Sequence, residues 1–367
     1  MKKRADGRYC KQILIGYHPD GRRKMKTIYG TTIKEVEKKE RECRNLIEQG
    51  IIEDNNITVR EWSEMWLKTY KNNVTYNTKQ MYSNSLDKHI IPVLGDIQLK
   101  SVKTIQIQQL INSLVEIGNS RTAEVAYLTI KQLMQQALKE GYIHKDVVGA
   151  VKSVKNQSKE KRTLTDAEQK AIQIAELTAK QRIFLDVMYY TGLRRGEVLA
   201  LTIADIDLAD KILTVNKSLY FEVNNAYIKE PKSKAGYRKI PIPDKLVDEL
   251  RVYISDLRNN ILFPMNDGNY MTKSSFRKFW ESIVAAVKQK AEDADKITFT
   301  PHIFRHTYAT NLYYAGVDIK TAQYFLGHSS LSMTLEIYTH LDREHITDEI
   351  DKINKYLSQS KISQSII

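Results

Sequence analysis

The stretch from Thr300 to His340 constrains this chain more than any other, because it fixes two helices and the corner between them. Thr300 stands as an N-cap and Pro301 at the first helical position, so a helix starts here. Residues three apart share a helix face, which lets His302 and Arg305 converge on one anion. Gly327, within Leu326-Gly327-His328, supplies a break, and Ser329 or Ser330 can cap a second helix that carries Tyr338. Two helix starts, His302, His328, Arg305 and Tyr338 could together surround a phosphate. Attack by a tyrosine oxygen on phosphorus would split one hard transfer into two easier ones through a covalent intermediate. Singly these features say little, since the chain has 21 tyrosines and an isolated H-x-x-R is more often a solvated helix face. The ordered set carries weight, and Thr191-Gly192-Leu193-Arg194-Arg195-Gly196-Glu197 upstream adds to it.

Taken in order, Gly-Leu-Arg-x-Gly-Glu, a lysine-bearing hairpin, His-x-x-Arg, Leu-Gly-His and Tyr-Thr-His resemble the tyrosine recombinases, the phage integrase family. The layout is most similar to integrases of temperate phages and conjugative transposons. Fixed residues carry the resemblance in the second half of the chain, whereas layout and pattern carry it in the first. It implies a multidomain protein, mainly α with small β-sheets. The expected parts are an N-terminal three-stranded sheet plus helix, a helical core-binding (SAM-like) domain and a mixed α/β catalytic domain. The expected boundaries are 1–55 for an arm-type DNA-binding domain, 56–155 for the core-binding domain, 156–162 for a linker, 163–342 for the catalytic domain and 343–367 for a C-terminal helix and tail. In relatives such a tail docks on a neighbouring protomer.

The resemblance also implies roles. Arg194 is the first catalytic arginine, because Gly-Leu-Arg-x-Gly-Glu sets the register on it and not on Arg195; Glu197 supports the local fold. A catalytic lysine belongs on the hairpin, where Pro231-Lys232-Ser233-Lys234 offers two. Lys232 fits the Lys-Thr-Lys pattern that precedes Arg-x-Ile-Pro in relatives, and Lys234 is the alternative. A free tyrosine has a pKa near 10, so Tyr338 needs a proton acceptor and strong stabilisation of developing charge. Arg194 and Arg305 would fork across phosphate oxygens. His302 and His328 would add hydrogen bonds, with His302 accepting the tyrosine proton, and Lys232 would protonate the departing 5′-oxygen. A two-metal nuclease needs a carboxylate cluster, and none surrounds these motifs, so no metal is expected. No cofactor or ATP is expected either, because a phosphotyrosine bond conserves the energy of the broken strand.

Charge agrees with a polyanionic partner: the net balance is +13 and the pI about 9.3. Cys10 and Cys43 make neither a zinc cluster nor a disulfide framework. The Met1-Lys2-Lys3-Arg4 start is followed by no apolar h-region, and no run approaches a membrane span, so a cytoplasmic protein without a membrane partner is expected.

Along the chain, Tyr9 to Tyr29 alternates apolar and polar residues around His18-Pro19-Asp20-Gly21, predicting a basic hairpin. Arg22, Arg23, Lys24 and Lys26 are its candidate DNA contacts. Thr32 and Glu35 predict a capping box opening a helix to about Gly50 that buries Ile33, Val36, Cys43 and Ile47. Trp62, Met65, Trp66 and Tyr70 share helical spacing and read as core. Further helical patterns cover 78–90, 104–117 and 121–140, and Thr165 with Glu168 marks another helix start. Strands are predicted over 212–215, 227–229 and 238–242. Beyond Tyr338 one apolar stripe, Ile346, Ile350, Ile353 and Leu357, must bury against something.

The function implied is a site-specific DNA recombinase that integrates and excises a mobile element through a 3′-phosphotyrosine intermediate. Its partners would be double-stranded attachment sites, three further copies of itself in a tetramer on DNA, and a directionality factor or DNA-bending protein. A type IB topoisomerase and a non-catalytic DNA-binding regulator on the same fold are the alternatives.

Overall fold

Alternating apolar and polar residues at the start of the chain become an antiparallel pair, β1 (Tyr9–Tyr17) and β2 (Arg23–Gly30). The computed structural model describes residues 3–17, 22–48, 56–154, 162–231 and 233–338. By its contacts the chain divides into two compact units, Met1–Gln157 and Ser158–Ile367. The expected third strand of the first sheet is represented, among the described residues, by one bridge from Lys3 to Tyr9. Helix α1 (Ile33–Glu48) covers one sheet face, burying Val36 and Cys43 against Ile13 and Ile28, with Ile47 at the edge. Ile33 departs from expectation and is 41% exposed, because the first helical residue lies before the face that meets the sheet. The capping box is also modified: Thr32 Oγ1 accepts from the Glu35 N–H at 3.2 Å, but the Glu35 carboxylate accepts from Thr31.

Five helices follow in the first unit: α2 (Val59–Tyr70), α3 (Tyr76–Ser85), α4 (Ile91–Leu94), α5 (Thr104–Glu116) and α6 (Ser120–Lys139). Thr58 and Glu61 form a complete capping box at α2. A π-turn, Leu86–Ile90, joins α3 to α4. Pro92 has no N–H to give the ladder, and just before it the Ile91 N–H reaches back five residues to Leu86. Trp62 and Trp66 are each 1% exposed in a core with Leu86, Ile107, Ile111, Ile130 and Leu133. Met65 and Tyr70, expected beside them, are 43% and 38% exposed. The apolar face of α2 is thus narrower than the spacing suggested.

The second unit opens with α7 (Asp166–Ile174), capped by the predicted Thr165–Glu168 box, then α8 (Ala179–Thr191) and α9 (Arg195–Ala200). Strands β3 (Ile206–Asp207), β4 (Ile212–Val215) and β7 (Arg238–Pro241) form an antiparallel sheet in the order β3-β4-β7. Between β4 and β7, β5 (Ser218–Glu222) and β6 (Asn225–Lys229) make a separate hairpin, of which the sequence predicted only the second strand. Helices α10 (Asp244–Ser255), α11 (Lys273–Lys290), α12 (Pro301–Tyr314), α13 (Ile319–Leu326) and α14 (Leu331–Tyr338) complete the unit. Its core gathers Phe184, Leu199, Leu213, Ile240, Phe263 and Phe304, so helices and sheet share one apolar interior. The predicted stripe from Ile346 to Leu357 and most of the expected linker lie outside the described residues.

Candidate active site

Helix α8 ends at Gly192, whose φ of +60° is the left-handed cap that favours glycine. A Cβ there would sit 2.3 Å from the Tyr308 ring, so close packing on α12 demands glycine as well. This sharp exit turns the chain into Arg194, the N-cap residue of α9. Glu197, three residues on, accepts from the Arg194 N–H and from its Nη1, both at 2.9 Å. The local Gly-Leu-Arg-x-Gly-Glu pattern therefore builds a turn that holds its own arginine.

Arg305 is 3% exposed on the inner face of α12. Its Nη1 donates to the Gly192 carbonyl at 3.0 Å and its Nη2 to the Leu326 carbonyl. The C-terminus of α13 organises the rest. Gly327, at φ +62°, donates back to Tyr324 and the His328 N–H to Gln323, closing a Schellman motif. Of the next three carbonyls, two are the ones such a helix end leaves over and the third is that of the capping glycine, and each receives an arginine. Phe325 accepts from Arg238 Nε at 2.7 Å, Leu326 from Arg305, and Gly327 from Arg194 Nη2 at 3.1 Å. A helix C-terminus carries partial negative charge, which orients guanidinium groups without cancelling them. A Cβ on Gly327 would meet Arg238 Nη1 at 2.9 Å, so the backbone there must be bare for the arginines to close in.

Only one carboxylate enters the described cluster. Glu197 is paired with both Arg194 and Arg238, at 2.9 and 2.8 Å. Burial would raise its pKa, but the Arg238 hydrogen bond and the charges of Arg238 and Arg194 hold it below its ordinary value. Burial, with the charge of Arg194 adding to it, pushes the Arg305 guanidinium down to about 9. That value still leaves it cationic at neutral pH. Three guanidinium groups against one carboxylate give the cluster an excess of two positive charges, a strong demand for an anion.

The two histidines lie on segments that also carry the cluster, His302 on α12 with Arg305 and His328 directly after Gly327. His328 is 5% exposed, with Nδ1 2.9 Å from the hydroxyl of Thr334, itself fully buried on α14. His302 is exposed in the first turn of α12, its ring centroid 4.7 Å from that of His306. Thr300 precedes the helix as predicted, though its side chain makes no capping hydrogen bond. Tyr338 is the last residue of α14, which packs on both α12 and α13. Lys232 lies outside the described residues, while Lys234 is exposed in a 3₁₀ turn, Lys234–Gly236, immediately before β7.

Residues 157–345 match the phage integrase family, and residues 58–115 match the N-terminal SAM-like domain of phage integrases. The chain belongs to the phage integrase family. A XerC-like tyrosine recombinase of Caldanaerobacter subterraneus subsp. tengcongensis is 28% identical over 94% of this chain and 95% of the relative. The XerD tyrosine recombinase of Staphylococcus haemolyticus is 30% identical over 65% of this chain and 79% of its own. Among solved structures, the integrase of transposon Tn1549 in complex with a circular intermediate DNA aligns with a TM-score of 0.71 at 26% identity, over 81% of this chain and 99% of that one. The chain is a tyrosine recombinase of the transposon-integrase type.

Within this recombinase, Arg195 goes elsewhere: its guanidinium stacks 5.2 Å from the Phe276 ring and 5.9 Å from Phe221. Arg238 is the residue the sequence reading missed. Its signal was present, for β7 alternates Arg238 buried, Lys239 exposed, Ile240 buried, Pro241 exposed. An arginine in the inward register of a strand calls for a buried acid partner. Of the four candidate DNA contacts of the first sheet, the Lys24 side chain lies outside the described residues and the other three do not share one setting. Arg22 and Arg23 are exposed, whereas Lys26, opposite Ile13 in the pairing, falls on the face that α1 covers and is half-buried.

Proposed function

We propose that this recombinase cuts duplex DNA by attack of Tyr338 on a phosphodiester held by Arg194 and Arg305, and rejoins it through a 3′-phosphotyrosine intermediate. The observation that carries the reading is the row of α13 carbonyls, which aims guanidinium groups into one cluster and leaves it short of negative charge. A bound phosphodiester supplies one negative charge and its transition state a second, so stabilisation grows as the reaction proceeds. His302 accepts the tyrosine proton, and His328, steadied by Thr334, donates to a phosphate oxygen. Lys232, or Lys234 in its place, protonates the departing 5′-oxygen. The 5′-hydroxyl of a partner strand then attacks the phosphotyrosine, and repetition on the second strands exchanges the duplexes through a Holliday junction.

In this reading the substrates are double-stranded attachment sites of a mobile element that the protein integrates and excises in the cytoplasm. It works as a tetramer on DNA, with a directionality factor or DNA-bending protein setting direction. The unit 1–55 binds arm sites through Arg22, Arg23, Lys24 and Lys26, residues 56–155 clamp the crossover site, 156–162 link the two halves, 163–342 catalyse, and 343–367 dock on a neighbour. The test is covalent trapping: nicked duplexes from the ends of the element are incubated with the protein in EDTA and run on a denaturing gel beside Tyr338→Phe. A shifted band absent from the variant supports the reading. Intact binding without a band from any end would instead make the protein a non-catalytic regulator.

A further inference from the structure

We propose that Arg238 is a positioning residue of the active site: by sharing the Glu197 carboxylate it keeps the charge of Arg194 available to the phosphate, and it ties the lysine-bearing turn to the histidine corner. The inference rests on the active-site reading above. The Arg238 side chain is 0% exposed and sits between three catalytic segments. Nη2 and Nη1 reach the two oxygens of Glu197 at 2.8 and 3.3 Å, Nε reaches Phe325 at 2.7 Å, and Nη1 also meets the Gly236 carbonyl at 3.3 Å. Gly236 ends the 3₁₀ turn that follows Lys232, Phe325 lies three residues before His328, and Glu197 holds Arg194. One planar fork therefore sets the separation of the turn, the corner and the first arginine, a geometry that lysine cannot reproduce.

Arg238 also acts through its charge. Without Arg238, Glu197 would face Arg194 alone, and their pair would be neutral. The excess charge of the cluster would fall by half, just where the transition state carries two negative charges. The defect should therefore appear in cleavage more than in duplex binding, which depends on many phosphates.

The test is single-turnover cleavage of nicked duplexes by the full chain, by Arg238→Gln and by Arg238→Lys, with thermal unfolding and duplex binding measured alongside. Each duplex carries either an ordinary phosphodiester or a methylphosphonate, which lacks the diester's charge, at the scissile position. Arg238→Gln should bind within about threefold of the unaltered protein but cleave the ordinary duplex about 10–100-fold more slowly. On the methylphosphonate that deficit should shrink to less than about threefold. Arg238→Lys keeps a charge but, without the fork, neutralises Glu197 less completely, and should show a smaller deficit, about 3–10-fold, that shrinks in the same way. It carries the test should Arg238→Gln not fold. An equal deficit on both substrates would reduce Arg238 to a purely structural residue, and undiminished cleavage by either folded variant would overturn the proposal. Failure of the unaltered protein to form any covalent complex would instead sink the active-site reading itself.

Discussion

The helical module of α2 to α6 and the site around α13 are buried to similar depth but spend burial on opposite chemistry. In the module the buried polar residues are Ser63, Ser85 and Thr129, and two of these hydroxyls simply return to carbonyls four residues back, Val59 and Val125. In the catalytic unit Glu197, Arg238 and Arg305 are buried as charges. Burying ions is costly unless they are paired and hydrogen-bonded, and here, with half-exposed Arg194 counted in, pairing is left incomplete by two charges. An apolar core needs no occupant, whereas a cationic cluster braced by neutral carbonyls is built to receive one.

Matched substitutions sharpen this contrast. Trp62→Ala should have the largest effect on folding, about 3–5 kcal/mol, since it empties a 1% exposed position and removes the indole N–H bond to the Leu133 carbonyl. Cleavage by the fraction still folded should be unchanged; a matching loss of chemistry measured at low temperature would break the division between regions. Arg305→Lys should do the reverse, lowering single-turnover cleavage about 10²–10³-fold while thermal unfolding moves little. A collapse of stability with normal cleavage per folded molecule would show the buried charges to be structural.

A smaller effect depends on pH. Asp186 on α8 faces Glu249 on α10, and its Oδ2 is buried without a hydrogen-bond partner. Burial, then the Glu249 charge, raises its pKa from 3.8 to about 6. The folded state then holds a proton that the unfolded chain has released, so stability falls as pH rises from about 4 to about 6 and stays low above that. Asp186→Asn should leave unfolding unchanged near pH 4 and stabilise by about 1–2 kcal/mol at pH 8, allowing for solvent screening. Equal effects at both values would exclude ionisation as the cause. Smallest of all, Ser63→Ala should cost under about 1 kcal/mol, because its hydroxyl bonds a carbonyl already in the helix ladder.

Legibility differed between these regions for physical reasons. Caps and breaks are local: Thr165 with Glu168, the stop at Gly192 and the corner at Gly327 all stand where short-range pattern placed them. Periodicity found α2 but overstated its buried face, because Met65 and Tyr70 share the spacing of Trp62 and Trp66 without meeting the same neighbours. Strand β5 escaped because Ser218–Glu222 pairs only with β6 and buries little. Arg238 escaped because strand alternation marks only its inward direction, while the partners that give it a role are 41 and 87 residues away. The carbonyl row at the end of α13 could not have been read at all, since every residue type has a carbonyl and only the fold selects which three meet arginines.

The most direct test is to digest the trapped protein–DNA complex and locate the modified residue by mass spectrometry. The account predicts a nucleotide joined through its 3′-phosphate to the peptide ending α14, on Tyr338, in a chain that offers 21 tyrosines. Attachment to any other tyrosine, or through a 5′-phosphate, would contradict it.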